Sequence, residues 1–451
     1  MAEGTGELAG KRVVVMGLGH FGGGTGVTRY LAQQGAQVLV TDSAPAERLR
    51  SSIAKLADLP IEYRLGRHDL HDLTHADLIV VNPAIDPRRN RFLHAATAAN
   101  IAQTSEIRLL VERLPNRLRT IGVTGTAGKS TVTAMIGHIL RQMPATKSAV
   151  PPGVWIGGNL GGSLLEMLDR IQPDDWVVLE LSSFMLQGLA EDKWSPHVAV
   201  VTNFSPNHLD WHETLDAYRR AKQVILDHQD PQRDVAILGP GILADFRPKV
   251  NNVRTHPAPA PLAAQLSLPL PGDHNLINGL VAADAVASAL GVDWTAATTA
   301  LADFRGLPHR LEFICERSDV RYFNDSKATT PEAAQRAIGS FASGRVHAIL
   351  GGYDKRTDLR SLATFAAQHC RAIYTIGTTG DAIGDAAAGH AAELIRCESL
   401  NQAVAQADRR VQSGDVVLLS PGCASWDQFE NYEARGERFT RLVRGTLESR
   451  L

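Results

Sequence analysis

Gly122-Val-Thr-Gly-Thr-Ala-Gly-Lys-Ser-Thr131 reads as a phosphate-binding loop between a strand and a helix. The run Leu118–Val123 leads into it. Val132–Leu140 follows, with Met135, Ile136, Ile139 and Leu140 at helical spacing. Glycines let backbone N–H groups approach phosphate oxygens closely, and the helix N-terminus adds partial positive charge. Lys129 then neutralises the outer phosphates and Ser130 offers a hydroxyl to Mg2+. Val123 stands where the full Walker spacing has its first glycine, which leaves the core Gly125-x-x-Gly128-Lys129-Ser130. Gly125, Thr126, Gly128, Lys129, Ser130 and Thr131 are therefore the expected triphosphate contacts.

Outward from this loop, the bulk properties exclude more than they assign. A chain of 451 residues is too long for one core and implies two or three domains. A net charge of −2 gives no global basic field, so neither nucleic acid nor a membrane surface is an expected partner. Met1–Gly10 carries no basic-then-apolar signal, and no apolar run approaches the roughly 20 residues of a membrane span. Cys315, Cys370, Cys397 and Cys423 lack metal-ligand spacing and read as thiols of a reducing compartment. The expectation is a soluble cytoplasmic α/β protein.

Three segments separate along the chain, taken as 1–116, 117–306 and 307–451. The first opens with Arg12-Val-Val-Val-Met-Gly-Leu-Gly-His-Phe-Gly22, then a helical stretch to Gly35, then Gln37-Val-Leu-Val-Thr-Asp42. Strand, glycine turn, helix, strand and acid form a nucleotide-binding βαβ unit. A further strand, Asp77–Val81, runs into Asn82-Pro-Ala-Ile85. The second segment adds strands at Trp176–Leu181 and Val198–Asn203, a surface excursion at His256-Pro-Ala-Pro-Ala-Pro261, and a helix over Asn275–Leu290. The third alternates helices with strands at Arg321–Asn324, His347–Leu350, Ile373–Ile376 and Asp415–Leu419, in doubly wound style.

Polar residues gather where these strands end, which in parallel sheets is where ligands bind. Glu180-Leu-Ser-Ser183 ends an apolar strand, and its carboxylate suits Mg2+ beside a nucleotide or, alternatively, a helix cap. His208 and Asp210 follow a second strand end, suited to a metal or substrate or to local hydrogen bonds. Lys222, on an expected helix over Ala217–Leu226, by itself reads as part of a solvated face. Asn275 and Asn278 share a helix face, and their amides suit an adenine edge or a polar surface equally. Three turns of the last segment, Asn324-Asp-Ser-Lys-Ala-Thr329, Gly351-Gly-Tyr-Asp-Lys355 and Ser420-Pro-Gly-Cys-Ala-Ser425, jointly suggest a crevice whose lysines suit a carboxylate-bearing substrate.

Taken in order, these motifs resemble those of the Mur ligases. The resemblance also includes Gly157-Gly-Asn-Leu-Gly161, Tyr218-Arg-Arg-Ala-Lys222, Gly272-Asp-His-Asn275, Pro308-His-Arg310 and Asp427-Gln-Phe429, and so covers nearly the whole chain. The Asn-Asp-Ser-Lys-Ala-Thr and Ser-Pro-x-Cys-Ala-Ser turns resemble the D-glutamate-adding branch. The resemblance implies an α/β protein of three domains: a Rossmann-like UDP-substrate domain, a central ATPase with a parallel sheet, and a Rossmann-like domain that binds the amino acid. It implies ATP and two Mg2+ ions, with UDP-N-acetylmuramoyl-L-alanine and D-glutamate as substrates and a monomeric enzyme.

On that resemblance, Lys129 and Ser130 handle the triphosphate and Glu180 holds a first Mg2+. His208 and a carbamylated Lys222 serve a second. Asn275 and Asn278 face adenine, and Arg310 and Asp325 reach phosphates and ribose. Gly17–Gly22, which includes Gly19, His20 and Phe21, holds the uridine diphosphate with Asp42 and Ser43; Asn159 and Ser182 lie near the muramoyl group. Lys327, Thr329, Lys355, Ser425 and Tyr432 form the glutamate cradle. Ala127 stands where many relatives carry Asn, and Tyr432 where Phe is usual.

Two other readings remain open from the sequence. Gly17-x-Gly19-x-x-Gly22 with Asp42 also fits a nicotinamide-dependent oxidoreductase, although that reading leaves the phosphate loop unexplained. A non-catalytic nucleotide-gated relative predicts loss of Lys129, Glu180 or His208, and all three are present.

Overall fold

Runs of β-branched and aliphatic residues with no polar alternation require sheets covered on both faces. The computed structural model, which describes residues 7–19, 22–143, 152–255, 266, 268–355, 357–389 and 392–448, contains three such sheets. The Pro/Ala run His256–Pro261 lies outside the described residues, as do His20 and Phe21.

The first sheet comprises β1 (Arg12–Met16), β2 (Gln37–Asp42), β3 (Glu62–Leu65), β4 (Leu78–Val81) and β5 (Ala102–Thr104). Its order is β3-β2-β1-β4-β5 and every pairing is parallel. The order reverses at β1, so the turn that begins at Gly17 and the Asn82 turn after β4 open side by side, with Asn82 Nδ2 donating to the Gly17 carbonyl at 3.0 Å.

The second sheet holds β6 (Thr120–Thr124), β7 (Val154–Gly158), β8 (Trp176–Glu180), β9 (Val198–Val201), β10 (Val235–Leu238) and β11 (Asn252–Thr255). Its order, β11-β10-β9-β6-β8-β7, places β6 between β9 and β8, again all parallel. The phosphate loop therefore emerges between the end of β8, which carries Glu180, and the end of β9, which Thr202 follows.

The third sheet, β12 (Glu312–Arg317), β13 (Val320–Asn324), β14 (Val346–Gly351), β15 (Cys370–Ile376), β16 (Glu393–Arg396) and β17 (Val416–Leu419), runs β12-β13-β17-β14-β15-β16. β12 is antiparallel to β13, an edge hairpin that alternating helices and strands had not suggested. Strand alternation separates its two cores: Val346, Ala348 and Leu350 pack on one face of β14 and Ile349 on the other.

The chain divides into two compact units, Met1–Leu262 with Ile277–Leu301, and Ala263–Leu276 with Ala302–Leu451. The first unit carries two of the sheets and the second carries the third. No helix among the described residues is long and apolar enough to cross a membrane.

Candidate active site

The phosphate loop is shaped by glycine and held by its neighbours. Gly128 caps the helix Lys129–Gln142 at φ +79°, and a Cβ there would lie 2.6 Å from Asn278 Oδ1. Gly125, at φ +140°, leaves room for Thr202, whose Oγ1 would meet a Cβ at 2.0 Å. Thr202 and Asn203, just past β9, donate to the Ala127 carbonyl at 2.6 and 2.9 Å, while Asn203 Oδ1 accepts from Ala127 N–H at 2.9 Å. Two side chains from the neighbouring strand thus fix the loop even with alanine at its centre. Lys129 Nζ donates to the Gly125 and Thr126 carbonyls at 3.1 and 3.0 Å, so the ammonium lies over the cradle it is expected to serve. Ser130 and Thr131 begin the helix behind it.

Glu180, at the end of β8, is 1% exposed. Its Oε1 accepts from Asn159 Nδ2 at 2.8 Å, and its Oε2 is buried without a hydrogen-bond partner. An orphaned carboxylate oxygen beside a phosphate loop fits a hard cation. Among the described residues no three His, Cys, Asp or Glu side chains converge into a ready-made metal site. An ion at Glu180 would therefore complete its shell with oxygens from ligands and water, as Mg2+ commonly does. Ser182, two residues on, accepts from Met185 N–H and caps the helix Ser183–Leu189.

Lys222 departs most from its isolated reading. It lies on the helix Leu215–Asp227 but is 1% exposed, with Nζ donating to the Gly125 carbonyl at 2.8 Å and to Thr124 Oγ1 at 3.4 Å. The helix turns this face to β6, and the centre of the Tyr218 ring lies 4.7 Å from Nζ. Burial, reinforced by the charge of Lys129 and opposed by Glu180, lowers the Lys222 pKa to about 6. The amine is mostly neutral at pH 7, and the solvated-face reading does not hold. His208 sits at φ +52° before a short helix, its pKa lowered by burial and by Lys129 and Lys222. Its ring meets Phe184 edge-on at 5.1 Å.

Tyr218 belongs to the same cluster, its hydroxyl 3.3 Å from Thr126 Oγ1. His212 Nε2 lies 3.0 Å from Ser183 Oγ and the ring is buried between Phe184 and Tyr218. Neither contact was singled out from sequence; the i, i+4 spacing of Tyr218 and Lys222 was the available signal.

In the first sheet, Asp42 uses its carboxylate to order the glycine turn. Oδ2 accepts from Leu18 N–H at 2.9 Å and Gly19 N–H at 3.3 Å, and Oδ1 from Ala44 N–H at 2.8 Å, across Ser43. A cavity of about 540 Å3 opens between Asn82, Ile85, Thr104 and Arg108 of this segment and Phe184, Gln187 and Trp211 of the next.

Asn275 and Asn278 are both buried in the helix Asp273–Leu290; Asn275 Nδ2 donates to the Pro271 carbonyl at 2.7 Å. Asn278 approaches Gly128, as its clash with a Cβ there shows.

The adjacency of β13, β17 and β14 brings the three polar turns of the last segment together. Gly422 N–H donates to the Ala328 carbonyl at 2.9 Å and Tyr353 N–H to the Ala424 carbonyl at 2.9 Å. Asp325 accepts from Ser420 Oγ at 2.7 Å and from Leu311 N–H at 3.1 Å; burial raises its pKa to about 7, against these bonds and Arg310. Lys327 Nζ lies 3.8 Å from the Tyr432 ring centre and Lys355 Nζ 4.6 Å from that of Trp426. Thr329 and Lys355 line a small cleft with Cys423, and Ser425 is buried one residue past Ala424. Arg435, buried beneath these turns, was not expected from the sequence.

Three family models match successive parts of the chain. Residues 11–104 match the Mur ligase MurD-like N-terminal domain, 123–252 the Mur ligase middle domain, and 309–423 the Mur ligase glutamate ligase domain. The UDP-N-acetylmuramoylalanine–D-glutamate ligase of Roseiflexus sp. is 38% identical, covering 97% of this chain and 99% of that protein. The protein of the same name from Acidobacterium capsulatum is 36% identical, covering 97% of each. Among solved structures, the MurF ligase from Thermotoga maritima in complex with ADP aligns with TM-score 0.55 at 16% identity, over 100% of this chain and 98% of that one. MurF from Acinetobacter baumannii aligns at 0.52 and 18% identity, over 97% and 92%. At such identities these two structures speak to the fold alone. With relatives of this identity aligned from end to end, the chain belongs to the Mur ligase family.

Proposed function

We infer that this protein is an ATP-dependent ligase that joins D-glutamate to UDP-N-acetylmuramoyl-L-alanine through an acyl phosphate, in cytoplasmic peptidoglycan precursor synthesis. Alignment over 97% of the chain with proteins named for that activity carries the reading. The division of work follows the segments 1–116 for the UDP substrate, 117–306 for ATP and 307–451 for the amino acid. A monomer suffices, since one chain supplies all three.

A carboxylate resists nucleophilic attack until one of its oxygens leaves as phosphate. Activation therefore brings two anions together, and the site must disperse their charge. Lys129 and the N–H groups of the phosphate loop receive the triphosphate, and Asn278 and Asn275 receive adenine. Asp42 keeps the glycine turn open toward the diphosphate of the first substrate. The cavity beside Asn82 and Phe184 suits its muramoyl end, and Asn159 and Ser182 are assigned to the same substrate. Lys327, Thr329, Lys355, Ser425 and Tyr432 hold the glutamate carboxylates so that its amine attacks the acyl phosphate and phosphate leaves.

Two Mg2+ ions fit the donors present, one at Ser130 and Glu180, the other at His208 and a modified Lys222. Bound Mg2+ would supply the positive charge that a single lysine does not. Carbamylation suits Lys222 because its buried amine is neutral and nucleophilic at pH 7: the lone pair attacks CO2, a proton leaves, and an anionic oxygen ligand results. Phosphate release measured with UDP-N-acetylmuramoyl-L-alanine, ATP, Mg2+ and an amino-acid panel tests the assignment. D-glutamate is expected to be the preferred amine; faster turnover with L-lysine or meso-diaminopimelate refutes it.

A further inference from the structure

Arg435 is the largest fully buried side chain of the described residues, 1% exposed, on the helix Tyr432–Glu448. Its guanidinium donates four hydrogen bonds. Nε reaches Ser326 Oγ at 3.0 Å, Nη2 reaches the Ser326 and Cys423 carbonyls at 2.9 and 3.1 Å, and Nη1 reaches the Ala424 carbonyl at 3.1 Å. Ser326 Oγ in turn donates to the Tyr432 carbonyl at 2.8 Å. At Gly352 a Cβ would lie 3.1 Å from Nη1, so the third turn also abuts this group. One planar fork thus joins the turns that bear Lys327, Ser425 and Tyr432 and touches the one that bears Lys355.

All four acceptors are neutral, and among the described residues the guanidinium makes no ion pair. Removing an unpaired cation from water is costly, and buried guanidinium groups ordinarily offset that cost with a carboxylate. Hydrogen bonds occupy four of its five N–H donors but leave the net charge. Burial lowers the Arg435 pKa to about 10, with Cys423 and Asp427 acting in the opposite direction through space. The group therefore stays charged at pH 7. A fixed positive charge in a dry setting, directly beneath turns of polar side chains, favours an anion on those turns far more than a solvated one would.

We propose that Arg435 is the positioning residue of the amino-acid cradle: its fork sets the spacing of the turns, and its unpaired charge selects an amino acid with two carboxylates. The proposal rests on the reading of this cradle as the D-glutamate site. Arg is suited to it as Lys is not, since an ammonium offers no planar fork to reach acceptors on two separate turns.

The test is steady-state kinetics of Arg435→Gln and Arg435→Lys, with melting curves to establish folding. Gln keeps donors and loses the charge; Lys keeps the charge and loses the fork. The expected result is a KM for D-glutamate raised roughly tenfold or more in Arg435→Gln and less in Arg435→Lys. KM values for ATP and the UDP substrate should stay within about twofold, a split that general loosening would not give. A D-glutamate KM near that of the wild type in folded Arg435→Gln, or parallel rises for all three substrates, overturns the proposal. So does failure of both variants to fold, which assigns Arg435 to stability alone. A wild type without D-glutamate-dependent turnover overturns the functional reading as well, which separates the two failures.

Discussion

Replacing Glu106 with Gln should change how stability depends on pH. Glu106 opens the helix Glu106–Arg113 and is 6% exposed, with Ser163 Oγ donating to its Oε1 at 2.6 Å. Burial raises its pKa from 4.5 to about 7, although the Ser163 bond works against the rise. Because the folded pKa lies above the unfolded one, the folded chain binds more protons between those values. Stability from this group is fully present below pH 4.5 and is lost as pH rises to 7. The whole window is worth (7 − 4.5) × 1.36, or about 3 kcal/mol, of which about 2 kcal/mol falls between pH 5.5 and 8. Gln has the same shape, still accepts from Ser163 and does not titrate. Any fixed cost of its extra N–H donors shifts the whole curve without changing its slope. Denaturant melts of both proteins at pH 5.5, 7 and 8 read the difference directly. Glu106→Gln should gain about 2 kcal/mol on the wild type over that range. Curves that stay parallel would refute a buried carboxyl titrating near neutrality.

Further substitutions test the central site. Lys129→Ala should fold normally but lose at least about 3 kcal/mol of transition-state stabilisation, read as kcat/KM from phosphate release. Near-normal activity removes the phosphate-loop assignment. Lys222→Ala should be nearly inactive and partly restored by added short carboxylates, which occupy the vacated ligand position. Full activity in that variant leaves Lys222 without a role in the site. Gly128→Ala combines strain at φ +79° with a Cβ 2.6 Å from Asn278 Oδ1, so it should raise the KM for ATP roughly tenfold. An unchanged nucleotide KM would show that the close approach of Gly128 and Asn278 does not shape the nucleotide site.

How legible the site was depended on whether its chemistry is local. The phosphate loop could be read because glycine, lysine and serine act within one turn and the strand and helix flank it in sequence. Glu180 could be placed because it ends an apolar strand, and His208 because it lies in the turn that follows another. Lys222 could not be placed alone: its burial depends on which face of the helix Leu215–Asp227 packs on β6, and its sequence neighbours Arg219 and Arg220 look solvated. Only the resemblance to Mur ligases drew attention to it. Arg435 is hidden in the sequence for a similar reason. Its spacing of four from Phe439 and eight from Val443 marks it as part of a buried stripe, but apolar periodicity does not count an arginine.

The sequence by itself determined three α/β segments, the strand ends that bear polar turns, and the phosphate loop, because these follow from apolar patterning and short-range turn chemistry. The edge hairpin β12–β13 escaped it, since an antiparallel edge strand and a covered parallel one look alike over so few residues. Tertiary structure alone decided which strand ends are neighbours. The order β13-β17-β14 brings together turns centred near residues 326, 353 and 423. It likewise decided which charges lose their water. Lys222 and Arg435 acquire their properties from removal of solvent by parts of the chain distant in sequence, and desolvation is set by the whole fold rather than by any local pattern.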